Sequence, residues 1–265
     1  MKLPISSILV GYNEADLLRR SLPSLQFCDE IIYFDLGSED DSVLIAESFG
    51  AKIIFHQKVP GCEWIHSAYA TSTKHKWVLV TDPDEVLDEE TVDNIYGLFD
   101  RNILTPETGC VSVPIFYYLK NKKLAGTTWG GEKRRVLMAH NERFKFSPIV
   151  HNGRELLNGF VSYDIPSDGK NGLHHYWVTS YRKMLEKHVR YLNNEAKSKF
   201  LSGQRITAKE LLIMPLKAFK YSFYHKKGYR DGFTGLFLSC FWAWYETAGN
   251  YRLLNYQRNN SKASK

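Results

Sequence analysis

The first hundred residues of this chain alternate between short apolar runs and helical patterns, and that alternation narrows the fold more than any other feature. Ile5–Val10 is rich in β-branched residues and stops at Gly11, after which Leu17, Leu18, Leu22 and Leu25 recur at helical spacing behind the acidic Glu14–Asp16. Ile31–Phe34 is closed by Asp35, Gly37 and Ser38, ahead of a second helical pattern over Ser42–Phe49 that Gly50 ends. Ala51–Phe55 reads as a third strand, Ile65–Thr73 as a weaker helix, and Trp77–Val80 as a fourth strand ending at Thr81-Asp82. An order of βαβαβαβ predicts a mostly parallel sheet flanked by helices, and such sheets bind ligands beyond the carboxyl ends of their strands. The residues at those ends are Tyr12-Asn13-Glu14, Asp35-Leu36-Gly37-Ser38 and Asp82-Pro83-Asp84-Glu85.

Further on, Gly109–Tyr118 reads as another strand, and Lys133–His140 with Phe144–Val150 as a hairpin joined through Asn141. Past His174 the pattern turns helical, with Leu185, Val189, Leu192 and Ala196 on one face. Beyond Ser202-Gly203, two basic, aromatic-rich helices are predicted over Leu211–Tyr224 and Phe233–Tyr256. The expected organisation is an α/β domain over 1–178, a helical extension over 179–258 and a polar tail over 259–265.

A chain of 265 residues with 43% hydrophobic residues buries a sizeable core. Its four cysteines, Cys28, Cys62, Cys110 and Cys240, form no CxxC pair, which argues against a zinc ribbon or a disulfide framework and for a reducing compartment. The start lacks the pattern of a secretory signal, and the longest apolar candidate, Phe233–Tyr245, is shorter than a membrane span and broken by Thr234, Gly235 and Ser239. A cytoplasmic location is therefore expected. Charge is uneven: Arg182–Lys265 carries seventeen basic residues against five acidic, whereas the first 181 residues carry 18 against 24.

Asp82, Asp84 and Glu85 crowd three carboxylates into one turn, where they ionise together only if a cation neutralises them. Oxygen donors suit Mg²⁺ or Mn²⁺, ions that keep coordination positions open for substrate phosphates. The same turn also reads as an N-cap for a helix from Glu89, or as a solvated acidic turn. Asp35 is placed either to accept a hydrogen bond from a base or ribose, with Gly37 permitting the turn, or to form the turn itself. Tyr12 is either a platform for a planar base or a buried structural tyrosine, and Asn13 is suited to hold the neighbouring loop. The Gly11 loop is neither a Walker A motif nor a GxGxxG fingerprint, which disfavours an ATPase or an NAD enzyme.

Taken in order, the strand before Tyr12-Asn13-Glu14, Ser24-Leu25, Asp29-Glu30-Ile31-Ile32, Asp35-Leu36-Gly37-Ser38-Glu39-Asp40, and Trp77-Val78-Leu79 leading to Asp82-Pro83-Asp84-Glu85 resemble a family 2 glycosyltransferase of GT-A fold. The sequence is most similar to the bacterial branch that extends lipopolysaccharide core and other surface glycans. The resemblance is strong over roughly the first hundred residues. It implies an inverting hexosyltransferase using a nucleotide-sugar, commonly a UDP-sugar, with Mn²⁺ or Mg²⁺. Gly11, Tyr12, Asn13, Glu14, Asp35, Gly37 and Asp82 would then form the donor site, with Tyr12 and Asp35 at the base, Asp82 at the ribose or metal, and Asp84 on the metal. Glu132, after Trp129-Gly130-Gly131 and its flexible glycine-rich stretch, is the first candidate for the general base, with Asp164 and Glu85 as alternatives and a surface pairing with Lys133 or Arg134 as its bland reading. His151, His174 and His175 resemble downstream histidines of the family, and His174 or His175 is the candidate to complete the metal shell or hold a phosphate. Two departures, Trp64-Ile65-His66-Ser67-Ala68-Tyr69 in place of a basic residue and an asparagine, and Asn152 in place of an acid, bear on substrate identity.

The helix over Phe233–Tyr256 is apolar nearly all round and must be covered, by the α/β domain, by a second copy in a homodimer, or by a membrane interface near a lipid-linked acceptor. No nucleic-acid-binding signature accompanies the charge. Two rival functions share the acidic turn: a nucleotidyltransferase, which would carry a basic glycine-rich loop after the first strand, and a non-catalytic binder of nucleotide sugars.

Overall fold

The computed structural model describes residues 1–148, 154–178 and 180–263, apart from the side chains of 183, 187, 193, 194, 198 and 261–263. The chain forms two compact units, Met1–Ile115 with Glu132–His175, and Phe116–Gly131 with Tyr176–Lys265. These cuts compare with boundaries expected from the sequence at 178 and 258, and they assign residues 116–131 to the helical unit.

In the first unit the expected alternation is present as β1 (Leu3–Gly11), α1 (Ala15–Ser21), β2 (Cys28–Asp35), α2 (Ser42–Ser48), β3 (Lys52–Phe55), α3 (Cys62–Tyr69) and β4 (Trp77–Val80). Pro23 sits in a 3-10 turn, Leu22–Leu25, directly after α1, and Leu18, Leu22 and Leu25 are all buried. The four strands are parallel and ordered β3-β2-β1-β4, so the chain winds outward through β2 and β3 and then returns to the other side of β1. That reversal is the topological switch point where open α/β sheets bind ligands. Central strands covered on two sides read as continuous apolar runs, and β1 is buried from Ile5 to Gly11. Ile8, Val10, Ile32, Phe34, Val78 and Val80 pack with Ile65 and Ala70, from α3 and the turn after it, in one cluster. Each such side chain contributes roughly 1.5–3 kcal/mol of burial.

Beyond β4 come β5 (Glu85–Leu87), α4 (Glu89–Asp100), β6 (Thr108–Leu119), β7 (Lys122–Lys123), β8 (Lys133–His140), β9 (Phe144–Phe146), β10 (Arg154–Leu156), β11 (Val161–Asp164) and β12 (Leu173–Val178). The expected hairpin from Lys133 does not form, because both edges of β8 are taken by antiparallel partners, β4 and β6, and β9 pairs with β10. A strand, β12, also replaces the helical pattern expected directly after His174. It pairs antiparallel with β5 and sets His175 opposite Glu85.

The N-cap of α4 is Asp88, not the acids before it. Its carboxylate accepts N–H bonds from Thr91 (2.8 Å) and Gly172 (2.6 Å) and meets His174 Nε2 at 2.8 Å. Burial works against this charge, but His174 and the two N–H groups outweigh it and bring the carboxyl down to about 2.

The helical unit holds α5 (Tyr181–Leu201), α6 (Ala208–Lys220) and α7 (Phe233–Ala263), with α6 opened by a Thr207/Glu210 capping box. On α5 the buried line runs through Met184, His188, Leu192 and Ala196, whereas Leu185 and Val189 of the expected face are exposed. One core joins Leu119, Leu124, Trp177, Val178, Met184, Leu238 and Phe241, with Trp129 stacked on Trp177 at 5.0 Å between centroids. The stretch before Glu132 is pinned and not flexible: Asp231 accepts the N–H groups of Ala125 (2.7 Å) and Gly126 (2.8 Å), and Gly131 N–H reaches Leu124 O at 3.0 Å.

Because Asp88 titrates lower in the folded chain than in the unfolded one, its contribution is present above about pH 4 and lost as pH falls toward 2. Asp88→Ala is expected to cost about 1–2 kcal/mol at pH 7, measured by urea unfolding. The difference from wild type should shrink steadily between about pH 4 and pH 2.5, and a difference independent of pH would contradict this account.

Candidate active site

The exits of β1 and β2 are tied to each other. Gly11 pairs with Asp35 across the two strands, and Tyr33 Oη lies 2.7 Å from where a Cβ on residue 11 would project, so any other residue there would have to displace the buried Tyr33 ring. Asn13 adopts φ 55°, a left-handed conformation that asparagine tolerates, and its Oδ1 accepts Glu39 N–H at 2.8 Å while its own N–H donates to Ser38 Oγ at 2.9 Å. Ser42 Oγ accepts Glu14 N–H at 2.8 Å, and Asp40 Oδ2 accepts Ala15 N–H at 3.1 Å. Asp35 is buried, and its carboxylate accepts the N–H groups of Gly37 (3.0 Å) and Ser38 (3.0 and 3.2 Å), a turn that Gly37 completes at φ 89°. Tyr12 is exposed, with the Lys58 ammonium 3.8 Å from its ring centroid.

At the exit of β4 the backbone folds back, and Asp82 N–H donates to Glu85 Oε2 at 3.0 Å. Glu85 is fully buried and its carboxylate is in close contact with the Arg135 guanidinium. The same guanidinium reaches Asp82 Oδ2 at 3.5 Å. The β5–β12 pairing delivers His175, whose Nε2 lies 3.2 Å from Asp84 Oδ2 and whose Nδ1 lies 3.7 Å from Glu85 Oε1.

Burial alone would raise the Asp82 carboxyl, but Arg135, then His175, His66 and Arg154, hold it below the usual carboxylate range. Burial, reinforced by Arg154 and Arg135, pushes the His66 imidazole down to about 4, so it is neutral at physiological pH. Burial and the neighbouring Arg135 likewise bring Arg154 down to about 10. The Cys62 thiol is pushed up to about 12 by burial, with Asp82 and Glu63 adding to it, and is no nucleophile.

Asp82, Asp84, Glu85 and His175 thus come together at one strand exit. His174 does not join them, being engaged with Asp88. Glu132 is exposed, one residue ahead of β8. Its neighbour Arg134 donates to the carbonyls of Ser112 (2.9 Å) and Ile165 (2.7 Å) and pairs with Asp164 at 3.5 Å. His151 lies outside the described residues. No motif in the sequence singles out Arg135 or Arg154, and His66 figures there only within the departure at 64–69. Arg135 was discoverable from strand alternation, which turns it to the opposite face from Arg134 once β8 is recognised as a central strand.

A divalent cation is implied by the family pattern, and the donor set suits one. Asp84 Oδ2 and His175 Nε2, 3.2 Å apart in a direct hydrogen bond, are the oxygen and nitrogen donors that would hold it. Glu85 behind the imidazole would orient it as a carboxylate orients a metal-bound histidine. Among the described residues no three His, Cys, Asp or Glu side chains converge on one point. A cation held by this pair would complete its shell with phosphate oxygens and water, as Mg²⁺ and Mn²⁺ commonly do.

The sequence pattern of glycosyl transferase family 2 matches residues 6–152, more than half of the chain. This chain belongs to glycosyl transferase family 2. An uncharacterized glycosyltransferase of Rickettsia bellii is 26% identical to it over 259 residues, covering 89% of this chain and 82% of its own. Another, from Rickettsia prowazekii, is 27% identical over 256 residues, with 89% and 83% covered. Among solved structures, the glucosyl-3-phosphoglycerate synthase of Mycobacterium tuberculosis, crystallised with Mn²⁺, UDP and glucosyl-3-phosphoglycerate, is 22% identical with a TM-score of 0.35. That alignment takes in 43% of this chain and 44% of the synthase, under half the length of either. The glycosyltransferase described here has the mixed α/β architecture expected from the sequence, with the parallel half of the sheet ending at the site and a C-terminal helical extension.

Replacing Arg135 by Met should cost about 3–5 kcal/mol in thermal or urea unfolding, because it strands a fully buried carboxylate. Adding Glu85→Gln in the same chain should recover part of the loss. Equal stability of Arg135→Met and wild type would show that Glu85 does not depend on this partner.

Proposed function

We propose that this glycosyltransferase moves a hexose from a nucleotide-sugar, a UDP-sugar, to a surface-glycan or lipid-linked acceptor on the cytoplasmic side of the membrane, with inversion at the sugar carbon. The observation that supports the reading is the pairing of Asp84 with His175 at the β4 exit, backed by the buried Glu85 and its Arg135. Tyr12 would stack on the base, and Asp35, with both carboxylate oxygens already engaged by N–H groups, would present its remaining lone pairs to the base or ribose.

Asp84 and His175 are the residues that would hold Mn²⁺ or Mg²⁺, with Asp82 beside them, and a bound cation would offset the charge developing on the departing nucleoside diphosphate. Arg135 keeps Asp82 ionised and so ready for that role. Glu132 is the proposed general base, taking the proton from the acceptor hydroxyl as that oxygen attacks the anomeric carbon opposite the leaving group. The rival carboxylates are worse placed for it: Glu85 has no exposure and faces Arg135, and Asp164 is paired with Arg134.

Asp84→Asn is expected to lower transfer and donor hydrolysis by at least about a hundredfold while leaving the melting temperature within a few degrees of wild type. Release of nucleoside diphosphate, and not of pyrophosphate, separates glycosyl transfer from nucleotidyl transfer. Full activity in Asp84→Asn, or stabilisation of the wild type by no UDP-sugar with Mn²⁺ present, would overturn the assignment.

A further inference from the structure

The helical unit carries a surface that the chemistry at the strand exits does not use. Leu212 and Leu216 are spaced one turn apart on α6 and are 81% and 76% exposed, and Phe233 at the start of α7 is 80% exposed. Leu216 also lines a groove of about 660 Å³ between α6 and α7, together with Leu211, Phe219, Trp244 and Tyr251. From the groove an aromatic ladder leads outward: Phe219 stacks on Phe223 at 5.3 Å, and Phe223 meets Tyr224 at 5.2 Å and Tyr229 at 6.3 Å. Tyr224 and Tyr229 are both exposed. Leu216, the groove and the aromatic ladder are therefore linked in one patch, with Leu212 one turn from Leu216, and a contiguous patch of large exposed apolar side chains marks an interaction site.

The charges around the patch select the partner. Between Arg205 and Leu236 the sequence holds seven lysines and arginines against two acids, Glu210 and Asp231, and Asp231 is buried with its carboxylate turned to backbone N–H groups. Lys209, Lys217, Lys220, Lys226 and Arg230 are exposed beside the apolar residues, and the Lys226 ammonium lies 5.4 Å from the Tyr221 ring centroid. A second copy of this chain would set these cations against each other. A layer of anionic headgroups over hydrocarbon answers both the charge and the apolar side chains, with tyrosine and tryptophan at the level between them. No helix of the described residues is long and apolar enough to cross a membrane, which fits a contact in the interface plane.

We propose that α6, the turn after it and the start of α7 form a docking surface for an anionic lipid membrane. The helical unit alone carries this surface, so its test needs no measurement of catalysis.

The experiment is flotation of the full-length protein with vesicles of pure phosphatidylcholine and with vesicles containing a third phosphatidylglycerol, at about 0.1 M and about 0.5 M salt. Binding to the anionic vesicles is expected, weakened in high salt and accompanied by a blue shift of tryptophan emission from Trp244 entering the interface. Lys217→Gln/Lys220→Gln/Lys226→Gln should lower partitioning at least about tenfold, and Leu212→Gln/Leu216→Gln should lower it comparably. Every substituted side chain is exposed, so both variants should keep the wild-type circular dichroism; a single Phe233→Ser stands in should either lose it. Three results would overturn the proposal: no flotation with anionic vesicles, equal flotation with neutral ones, or flotation unaffected by the apolar substitutions. A dimer in sedimentation that the apolar substitutions dissociate, while vesicle binding stays absent, would assign the patch to a second copy instead.

Discussion

A carboxylate with no access to water has to be answered by a cation, and the answer that Arg135 gives Glu85 holds this molecule's site together. Glu85 takes the Asp82 N–H, fixing the turn after β4, and its carboxylate lies 3.7 Å from Nδ1 of the His175 ring whose Nε2 meets Asp84. Arg135 in turn comes from β8, the strand at which the parallel half of the sheet gives way to the antiparallel half. The pair thus ties β5 and the turn after β4 to β8, and the charge of Arg135 counters the burial that works to raise the Asp82 carboxyl.

The exits of β1 and β2 are ordered by hydrogen bonds from backbone N–H groups to side chains. Asn13, Ser38, Asp40 and Ser42 knit the loops after β1 and β2 into one piece, and the Asp35 carboxylate is absorbed into its own turn. Such a network leaves little freedom to lose when a flat ligand arrives, and lowering that loss is how preorganised sites gain affinity. The two halves differ in kind. Around β1 and β2 the backbone does the positioning, whereas at β4 charged side chains do.

The parallel half of the fold was legible because apolar period and turn chemistry agree there: β-branched runs, a stop at Gly11 or Gly50, and leucines at helical spacing. The carboxylates at the strand exits were legible for the same reason. What followed was harder to read. β5 and β11 are three and four residues long, and β12 begins with Leu173-His174-His175, too short or too polar to show a period of two. Without β12 nothing in the sequence says which histidine faces Asp84, and its pairing with β5 is what separates His175 from His174. The mistaken hairpin at Asn141 has a similar origin, since local turn signals carry no information about the distant strands that claim both edges of β8. On α5, Leu185 and Val189 fit a helical stripe on paper, but the packed line runs one residue earlier through Met184 and His188, chosen by the aromatic rings of Trp129, Trp177 and Phe241.

The chain passes between its two units after Ile115, after Gly131 and after His175, so neither unit is a continuous stretch of sequence. Residues 116–131 turn hydrogen bonds and their tryptophan to residues much later in the chain, through Trp177, Asp231 and Phe241. The C-terminal helices are consequently not a detachable module. Any graft that moves them to another scaffold has to carry the excursion at 116–131 with them, and recombination at a single point near residue 178 would leave that excursion without the groups it is built on.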